Sequence, residues 1–196
     1  MGGRGSSFKS FSHWQEGYAF FGVNGGKNTM YNSWSSTASH DEKNALTTYT
    51  GSAYSSINKA LRTETRNYNY QKTISDMDTA IEKFELKKNL TTYRGSSAEL
   101  VGGYTTAKDI NSNLKGTVVK DKGYVSTAVV QSSSFSGEIK YEIDVPKGKG
   151  RGTFVAPISH FKTENEFILK RGTNFLVKGA TEDSWGNVTV KLKVVD

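Results

Sequence analysis

The 196-residue sequence contains no cysteine. Disulfides, zinc sites with thiolate ligands and cysteine nucleophiles are therefore excluded. The three histidines, His13, His40 and His160, lie far apart along the chain and show no spacing typical of metal ligands. We therefore expect a protein that works without a bound metal.

Long apolar runs are also missing. No stretch approaches the roughly 20 apolar residues that span a bilayer, and the first thirty residues lack the charged and apolar regions of a signal peptide. We expect a soluble chain without a membrane partner. It would act in the cytoplasm where it is made or after delivery into a host cell, and the sequence does not indicate its oligomeric state.

Composition sets the class of protein and of partner. Hydrophobic residues make up 35% of the chain and aromatic residues 12%, which is enough for the core of one domain of ordinary size. The formal net charge of +7 favours an anionic partner, such as nucleic acid, an acidic protein surface or a cofactor that carries phosphate. Because the lysines and arginines are scattered, an ordinary basic surface is an equal alternative.

The N-terminal segment differs from the rest of the chain. The opening MGGRGSSFKS is rich in glycine and serine, and residues 8–36 are dense in aromatic side chains whose spacing fits neither a helix nor a strand. We expect residues 1–36 to form an extension whose aromatic side chains anchor it to the main body. Residues 37–196 would form a single domain.

Helical patterns come first in the main body, and strand patterns follow. Ser39 and Glu42 form a Ser-x-x-Glu capping box, and apolar residues recur at helical spacing over 45–61 and 74–85. After residue 89 the sequence changes to short β-rich runs with glycines between them, such as EIKYEIDVP and NVTVKLKVV. This order predicts an α+β fold rather than a doubly wound sheet.

The glycine-rich stretch GKGRG at residues 148–152 joins two strand-like runs. A dinucleotide-binding Gly-x-Gly-x-x-Gly motif would instead join a strand to a helix. We therefore predict a hairpin turn at GKGRG.

Three short motifs contain the candidate site. TTYRG ends in Arg94 and Gly95, GYVSTA contains Ser126 and Thr127, and FKTENEF contains a pair of glutamates. Each motif alone has an ordinary explanation: an ion-paired arginine, a cross-strand pair of hydroxyls, or a solvated strand face. In an extended strand, however, the two glutamates would point to one side, where each raises the pKa of the other.

In this order the motifs resemble the Arg / Ser-Thr-Ser / Glu-x-Glu triad of mono-ADP-ribosyltransferases. They are most similar to the enzymatic components of actin-modifying clostridial binary toxins, whose helical segment with paired tyrosines also resembles residues 45–62. The resemblance covers residues 40–195 and implies N-terminal helices packed on a mostly antiparallel core of two sheets. One departure is Ala128, which lacks the third hydroxyl of the middle motif. The opening MGGRGSS is faintly similar to the tail of some phage head proteins, which would suit a phage-encoded enzyme.

The resemblance implies a role for each motif residue. Glu166 would be the catalytic carboxylate that holds a ribose hydroxyl of NAD, with Ser126 orienting it. It would stabilise the positive charge that develops on the ribose as the bond to nicotinamide breaks. Glu164 would face the acceptor, and glutamate at this position accompanies transfer to arginine in the family. Arg94 would bind the diphosphate, and the backbone of Gly95 would hold the nicotinamide amide.

Several further residues belong to the implied site. Those expected near the cofactor are Tyr49, Tyr54, Thr127 and Phe135, with Lys140 as another candidate in the region of a second phosphate-binding arginine that the sequence does not locate. Phe161 would help to bind the substrate protein. Ordinary packing is the alternative for Tyr49, Tyr54 and Phe161.

The sequence thus predicts an NAD-dependent enzyme that transfers ADP-ribose to an arginine of a target protein and releases nicotinamide. NAD would be its substrate. Three alternatives stay open: an NAD glycohydrolase in which water replaces the acceptor, a transferase that modifies nucleic acid, and an inactive module that binds a partner or belongs to a phage particle. The acceptor protein is not indicated.

Overall fold

The computed structural model describes residues 7–65, 68–134 and 136–196. Its α-helices lie mainly in the N-terminal half, and within the described ranges none is both long and apolar enough to cross a bilayer. The helices are α1 (Trp14–Phe21), α2 (Met30–Thr37), α3 (His40–Thr48), α4 (Tyr54–Arg62), α5 (Gln71–Lys83) and α6 (Ala107–Asn113).

Ten strands follow the first five helices. They are β1 (Glu85–Leu86), β2 (Leu90–Ser96), β3 (Val118–Asp121), β4 (Val125–Ala128), β5 (Ile139–Val145), β6 (Gly148–Lys149), β7 (Gly152–Phe154), β8 (Glu166–Leu169), β9 (Thr173–Glu182) and β10 (Val188–Val195). Eight of them are hydrogen-bonded in the order β3-β9-β10-β5-β2-β4-β8-β7, and β1 pairs with β6. All of these pairs are antiparallel except β10 with β5.

The eight-stranded sheet consists of two parts that meet at one point. Strand β2 pairs with β5 along its whole length, from Leu90↔Val145 to Ser96↔Ile139, but it pairs with β4 only at Tyr93↔Ala128. Five strands therefore lie on one side of this junction and three on the other. The predicted α+β fold with a mostly antiparallel core of two sheets is confirmed.

Helix α3 begins at the predicted capping box. The Ser39 hydroxyl accepts a hydrogen bond from the Glu42 backbone N–H at 3.2 Å, and the Glu42 carboxylate accepts one from the Ser39 N–H at 2.9 Å. Between α3 and α4 the chain forms a π-helical turn, Tyr49–Ala53, because Gly51 leaves the helical region with ψ −132°. The helical pattern over residues 45–61 therefore belongs to two helices, α3 and α4, which are joined by the turn at this glycine.

The N-terminal aromatic side chains do pack against the main body. Phe21 of α1 is fully buried, and its ring stacks on Phe154 of β7 with 4.1 Å between centroids. The indole N–H of Trp34 in α2 donates to the Ala80 carbonyl at 2.8 Å. Helices α1 and α2 thus share one core with the sheet, and the division of the chain at residue 36 stays a prediction.

The predicted hairpin at residues 148–152 is wrong. Strand β6 pairs with β1, whereas β7 pairs with β8. Gly150 adopts φ 71° between the two strands, and its N–H donates to the Phe84 carbonyl at 2.9 Å. This left-handed turn sends the two short strands to different partners.

Glu42 also joins α3 to α5, because its buried carboxylate accepts the Lys83 ammonium at 2.7 and 2.8 Å. Glu42→Ala should lower the free energy of unfolding by about 2 kcal/mol, since it removes both the cap and the counterion of Lys83. Asp41→Ala removes only an exposed ion pair to Lys72 and should cost less than about 1 kcal/mol. Urea unfolding of both variants measures the difference, and equal losses would contradict this account of the helix pair.

Candidate active site

A cleft of about 610 Å³ lies beside the junction between the two parts of the sheet. It is lined by the end of β2, the π-helical turn and α4, strand β4 and the loop before β8. Eight of the predicted site residues meet there: Tyr49, Tyr54, Arg94, Gly95, Ser126, Phe161, Glu164 and Glu166. The three motifs, which are far apart in the sequence, thus form one site.

Two of the predicted residues, Thr127 and Lys140, are not among those lining the cleft. Thr127 alternates with Ser126 along β4 and is buried, and its hydroxyl donates to the Phe167 carbonyl at 2.7 Å. Lys140 is exposed on β5. Phe135 lies outside the described residues. In the parts of the chain that the structure describes, no group of three or more histidine and acidic side chains is placed to hold a metal ion.

Glu166 is the most buried acidic group of the cleft, with 5% of its surface exposed. It begins β8, where it lies opposite Ala128 of β4, and its carbonyl accepts the Val155 N–H at 3.0 Å. Burial raises the pKa of the Glu166 carboxyl to about 7, and the charge of Glu164 adds to this effect. The Ser126 hydroxyl and the Arg94 guanidinium act in the opposite direction and favour the ionised form.

Glu164 reaches the cleft by a different route from the predicted one. It ends a short 3₁₀ helix, Lys162–Glu164, and Asn165 then turns the chain with φ 51° and ψ 46° before β8 begins. The two glutamates therefore do not lie in one extended strand. Both carboxylates nevertheless line the cleft, because the left-handed turn brings the loop back over the strand. Partial burial raises the pKa of Glu164.

Arg94 is one of three cations that line the cleft, with Lys59 and Arg62. Its guanidinium donates to the Ser126 carbonyl at 2.8 Å and more weakly to the Ser96 hydroxyl at 3.4 Å. Among the described residues, no carboxylate lies within ion-pairing distance of this guanidinium. Burial lowers its pKa, but arginine stays protonated at neutral pH. A partly buried cation without a carboxylate partner is suited to bind an anion.

The two tyrosines of the helical segment differ in environment. Tyr49 is fully buried, and its hydroxyl accepts from the Asn58 amide at 2.9 Å and lies 3.4 Å from the Ser126 hydroxyl. Burial raises the pKa of Tyr49 to about 12. Tyr54, on the far side of the π-helical turn, is 54% exposed at the edge of the cleft. Tyr49 is therefore a buried supporting residue of the site, whereas Tyr54 is exposed and can contact a ligand.

Sequence reasoning missed several residues of the site, among them Asn58, Arg62 and Ser159. Asn58 and Arg62 follow Tyr54 at intervals of four along α4, so helical periodicity could have identified them. Arg62 is held by two hydrogen bonds to Asp121, at 2.9 and 2.8 Å. Ser159 is buried, accepts the Phe161 N–H at 3.0 Å and is a hydrogen-bond partner of Glu166. No sequence pattern marks Ser159.

A second cavity of about 530 Å³ continues from the cleft. The two share Arg62, Arg94 and Glu99, and the rest of the second cavity is lined by both apolar and charged residues, including Leu100, Tyr141 and Lys120. The cleft can therefore accommodate an elongated ligand with an anionic centre near Arg94.

Comparison with known proteins identifies relatives of this chain. A family model described as "ADP-ribosyltransferase exoenzyme" matches residues 25–195. The NAD(+)--arginine ADP-ribosyltransferase EFV of Enterococcus faecalis is 29% identical over 149 residues, which are 74% of this chain and 30% of that protein. The mono-ADP-ribosyltransferase C3 of Hathewaya limosa is 29% identical over 159 residues, 71% of this chain and 63% of that protein. The chain thus spans less than two thirds of either relative.

A solved structure is also similar over nearly the whole chain. Plx2a, an ADP-ribosyltransferase toxin from Paenibacillus larvae, superposes with a TM-score of 0.79 at 27% sequence identity. The match covers 95% of this chain and 99% of that one.

Glu166→Gln is expected to stabilise the folded protein at pH 8. Folding raises the pKa of Glu166 from 4.5 to about 7, so ionisation opposes folding increasingly between these pH values. Above pH 7 the cost is about 3 kcal/mol, and below pH 4.5 it vanishes because the carboxyl is protonated in both states. Urea unfolding at pH 8 and pH 4.5 tests this. Glu164→Gln, at a less buried position, should raise the free energy of unfolding by a smaller amount. If Glu166→Gln lowered the free energy of unfolding at pH 8, the assignment of a buried, uncompensated carboxylate would be wrong.

Proposed function

Since this chain belongs to the ADP-ribosyltransferase exoenzyme family, we propose that it transfers ADP-ribose from NAD to an arginine of a target protein and releases nicotinamide. The observation that carries the proposal is the meeting of two carboxylates, Glu164 and Glu166, with the Arg94 guanidinium, which has no carboxylate partner among the described residues, in one cleft. The name of the Enterococcus faecalis relative specifies NAD and arginine, which agrees with this assignment.

The residues of the cleft fit NAD chemically. NAD combines an anionic diphosphate with a cationic nicotinamide ring, and its cleavage leaves positive charge on the ribose. Arg94 offers paired N–H donors to the diphosphate, and Gly95, which has no side chain, lines the cleft near the end of β2, where a ligand can approach the backbone closely. Glu166 places negative charge at the opposite wall. The site thus has a charge of the required sign for each part of the ligand.

Glu166 acts in its ionised form. A pKa of about 7 means that a large fraction of the free protein carries a neutral carboxyl at neutral pH, and a cationic ring nearby favours ionisation. The carboxylate then holds a ribose hydroxyl and stabilises the charge that develops as the nicotinamide–ribose bond breaks. Because the site is buried, the group is already oriented and needs no reorganisation during the reaction.

Glu164 acts on the acceptor. The electrons of the broken bond stay with the nicotinamide nitrogen, a guanidinium nitrogen of the acceptor forms the new bond to the ribose, and that nitrogen must lose a proton. A guanidinium is a weak nucleophile because it is protonated in water. The Glu164 carboxylate can hold its two N–H groups together and accept the proton.

Hydrolysis of NAD is the second activity that the geometry favours. Glu164 lies on a partly exposed loop, so water can occupy the acceptor position when no arginine is bound. The bond-breaking step is the same, and only the nucleophile differs. We expect both activities, with hydrolysis as the slower one in the presence of an acceptor.

The two glutamates can be separated by mutation. Glu166→Gln should lower both nicotinamide release and transfer by about 10²–10³-fold, since it removes the charge that stabilises the ribose. Glu164→Gln should abolish transfer to a small guanidine such as agmatine while retaining NAD hydrolysis. Chromatography of nicotinamide and of ADP-ribosylated agmatine measures both, with Glu142→Gln on β5 as a control outside the cleft. Transfer that survives both site variants would refute the assignment.

The class of acceptor needs its own measurement. Incubation with labelled NAD and a cell lysate should give a label that protease removes and nuclease does not. A nuclease-sensitive label would instead identify nucleic acid as the acceptor, for which the net charge of +7 is suited.

A further inference from the structure

Helix α1 lies before residue 25, where the family match begins, yet it contacts the residue between the two glutamates. A Cβ atom at Gly17 would lie 2.8 Å from Oδ1 of Asn165 and 2.8 Å from Cγ2 of Val129. Glycine inside a helix costs about 1 kcal/mol relative to alanine. Its presence at this buried position allows α1 to approach the loop more closely than any other residue would.

The Asn165 side chain connects α1 to the loop that bears Glu164. Asn165 is fully buried, and its amide nitrogen donates to the Thr163 carbonyl at 3.3 Å. Its Oδ1 faces Gly17 and has no hydrogen-bond partner among the described residues. The amide is therefore held by shape between the helix and the loop, and a change at Gly17 acts on it directly.

The next residue of α1 holds the same loop at a second point. The Tyr18 hydroxyl donates to the Lys162 carbonyl at 3.3 Å. Helix α1 is itself fixed, because Phe21 stacks on Phe154 and the Glu16 carboxylate accepts the N–H groups of Ser12 and His13 at 2.8 and 2.9 Å. The fixed helix thus supports the two residues before Glu164. It contacts the Lys162 carbonyl directly through Tyr18, and it acts on the Thr163 carbonyl through the Asn165 side chain.

Glu166 has backbone contacts of its own that do not involve α1. Its backbone is held by the pairing of β8 with β4, in which it lies opposite Ala128. Its carbonyl also accepts a hydrogen bond from the Val155 N–H, just after β7. Val129 also donates its N–H to the Asn165 carbonyl at 3.0 Å, which fixes the backbone at Asn165 independently of its side chain. A disturbance at Gly17 should therefore displace Glu164 more than Glu166.

We propose that helix α1 is a positioning element for the acceptor carboxylate, acting through the contact between Gly17 and Asn165. By fixing the loop it holds Glu164 where an incoming guanidinium can be bound and deprotonated. The partition of NAD between transfer and hydrolysis is then set by a helix outside the family match. This inference rests on the proposed function, since it assigns the acceptor role to Glu164.

Gly17→Ala tests the contact, with Gly26→Ala as the matched control because a Cβ at Gly26 meets nothing within 4 Å. We expect Gly17→Ala to lower kcat for transfer to agmatine about tenfold, as a small displacement of a reacting group does, and to leave NAD hydrolysis and the KM for NAD within twofold. Gly26→Ala should change neither activity. Tyr18→Phe, which removes only the hydroxyl, should shift the same ratio by about threefold.

A double-mutant cycle separates positioning from general destabilisation. Asn165→Gly keeps the left-handed backbone and removes the amide that supports Thr163, so it should also reduce transfer relative to hydrolysis. If Gly17 acts through this amide, the double variant should lose no more transfer than Asn165→Gly alone. Losses that multiply would overturn the inference.

The remaining outcomes are distinguishable. If Gly17→Ala lowers transfer and hydrolysis in equal proportion, or changes neither, then α1 has only a structural role and the inference is wrong. If the unaltered protein neither releases nicotinamide nor modifies agmatine, then the proposed function is wrong and the inference falls with it.

Discussion

The burial of one carboxylate beside a second is the constraint on which the cleft depends. Glu166 has lost nearly all of its water, and the charge of Glu164 further opposes its ionisation. A group of this kind costs stability at neutral pH, and the fold retains it through backbone pairing on both sides of β8 and through the hydroxyls of Ser126 and Ser159. The same burial makes the carboxylate effective, because charge interactions are strongest where water is excluded.

The topology explains how three distant motifs reach this group. Strands β2, β4 and β8 are neighbours in the sheet order, and they carry Arg94, Ser126 and Glu166 respectively. Since β2 and β4 pair only at Tyr93↔Ala128, the strands separate just where Arg94 begins. The guanidinium then hydrogen-bonds across the gap to the Ser126 carbonyl instead of to a carboxylate. The short pairing between β2 and β4 thus both opens the sheet and leaves the Arg94 guanidinium available for an anionic ligand.

The sequence was sufficient for the features that local chemistry determines. The capping box at Ser39 and the change from helices to strands after residue 89 were predictable in this way, whereas the meeting of the three motifs was predicted from the resemblance to a family. The loop at Glu164 was not, because a left-handed asparagine has no sequence marker comparable to glycine. The strand pairing around GKGRG was not predictable either, because β6 and β7 pair with strands that are distant in sequence and not with each other. Ser159 and Gly17 act through tertiary contacts that no periodicity reveals.

The central claim is that Glu166 is a buried carboxyl that ionises to meet a cationic ligand, and proton release on binding tests it most directly. A non-hydrolysable NAD analogue with the same cationic ring can be titrated into the protein near pH 6.5, by calorimetry in buffers of different ionisation enthalpy. We predict that binding releases a substantial fraction of a proton, and that Glu166→Gln releases none. Binding without proton release in the unaltered protein, or equal release by both proteins, would contradict the account.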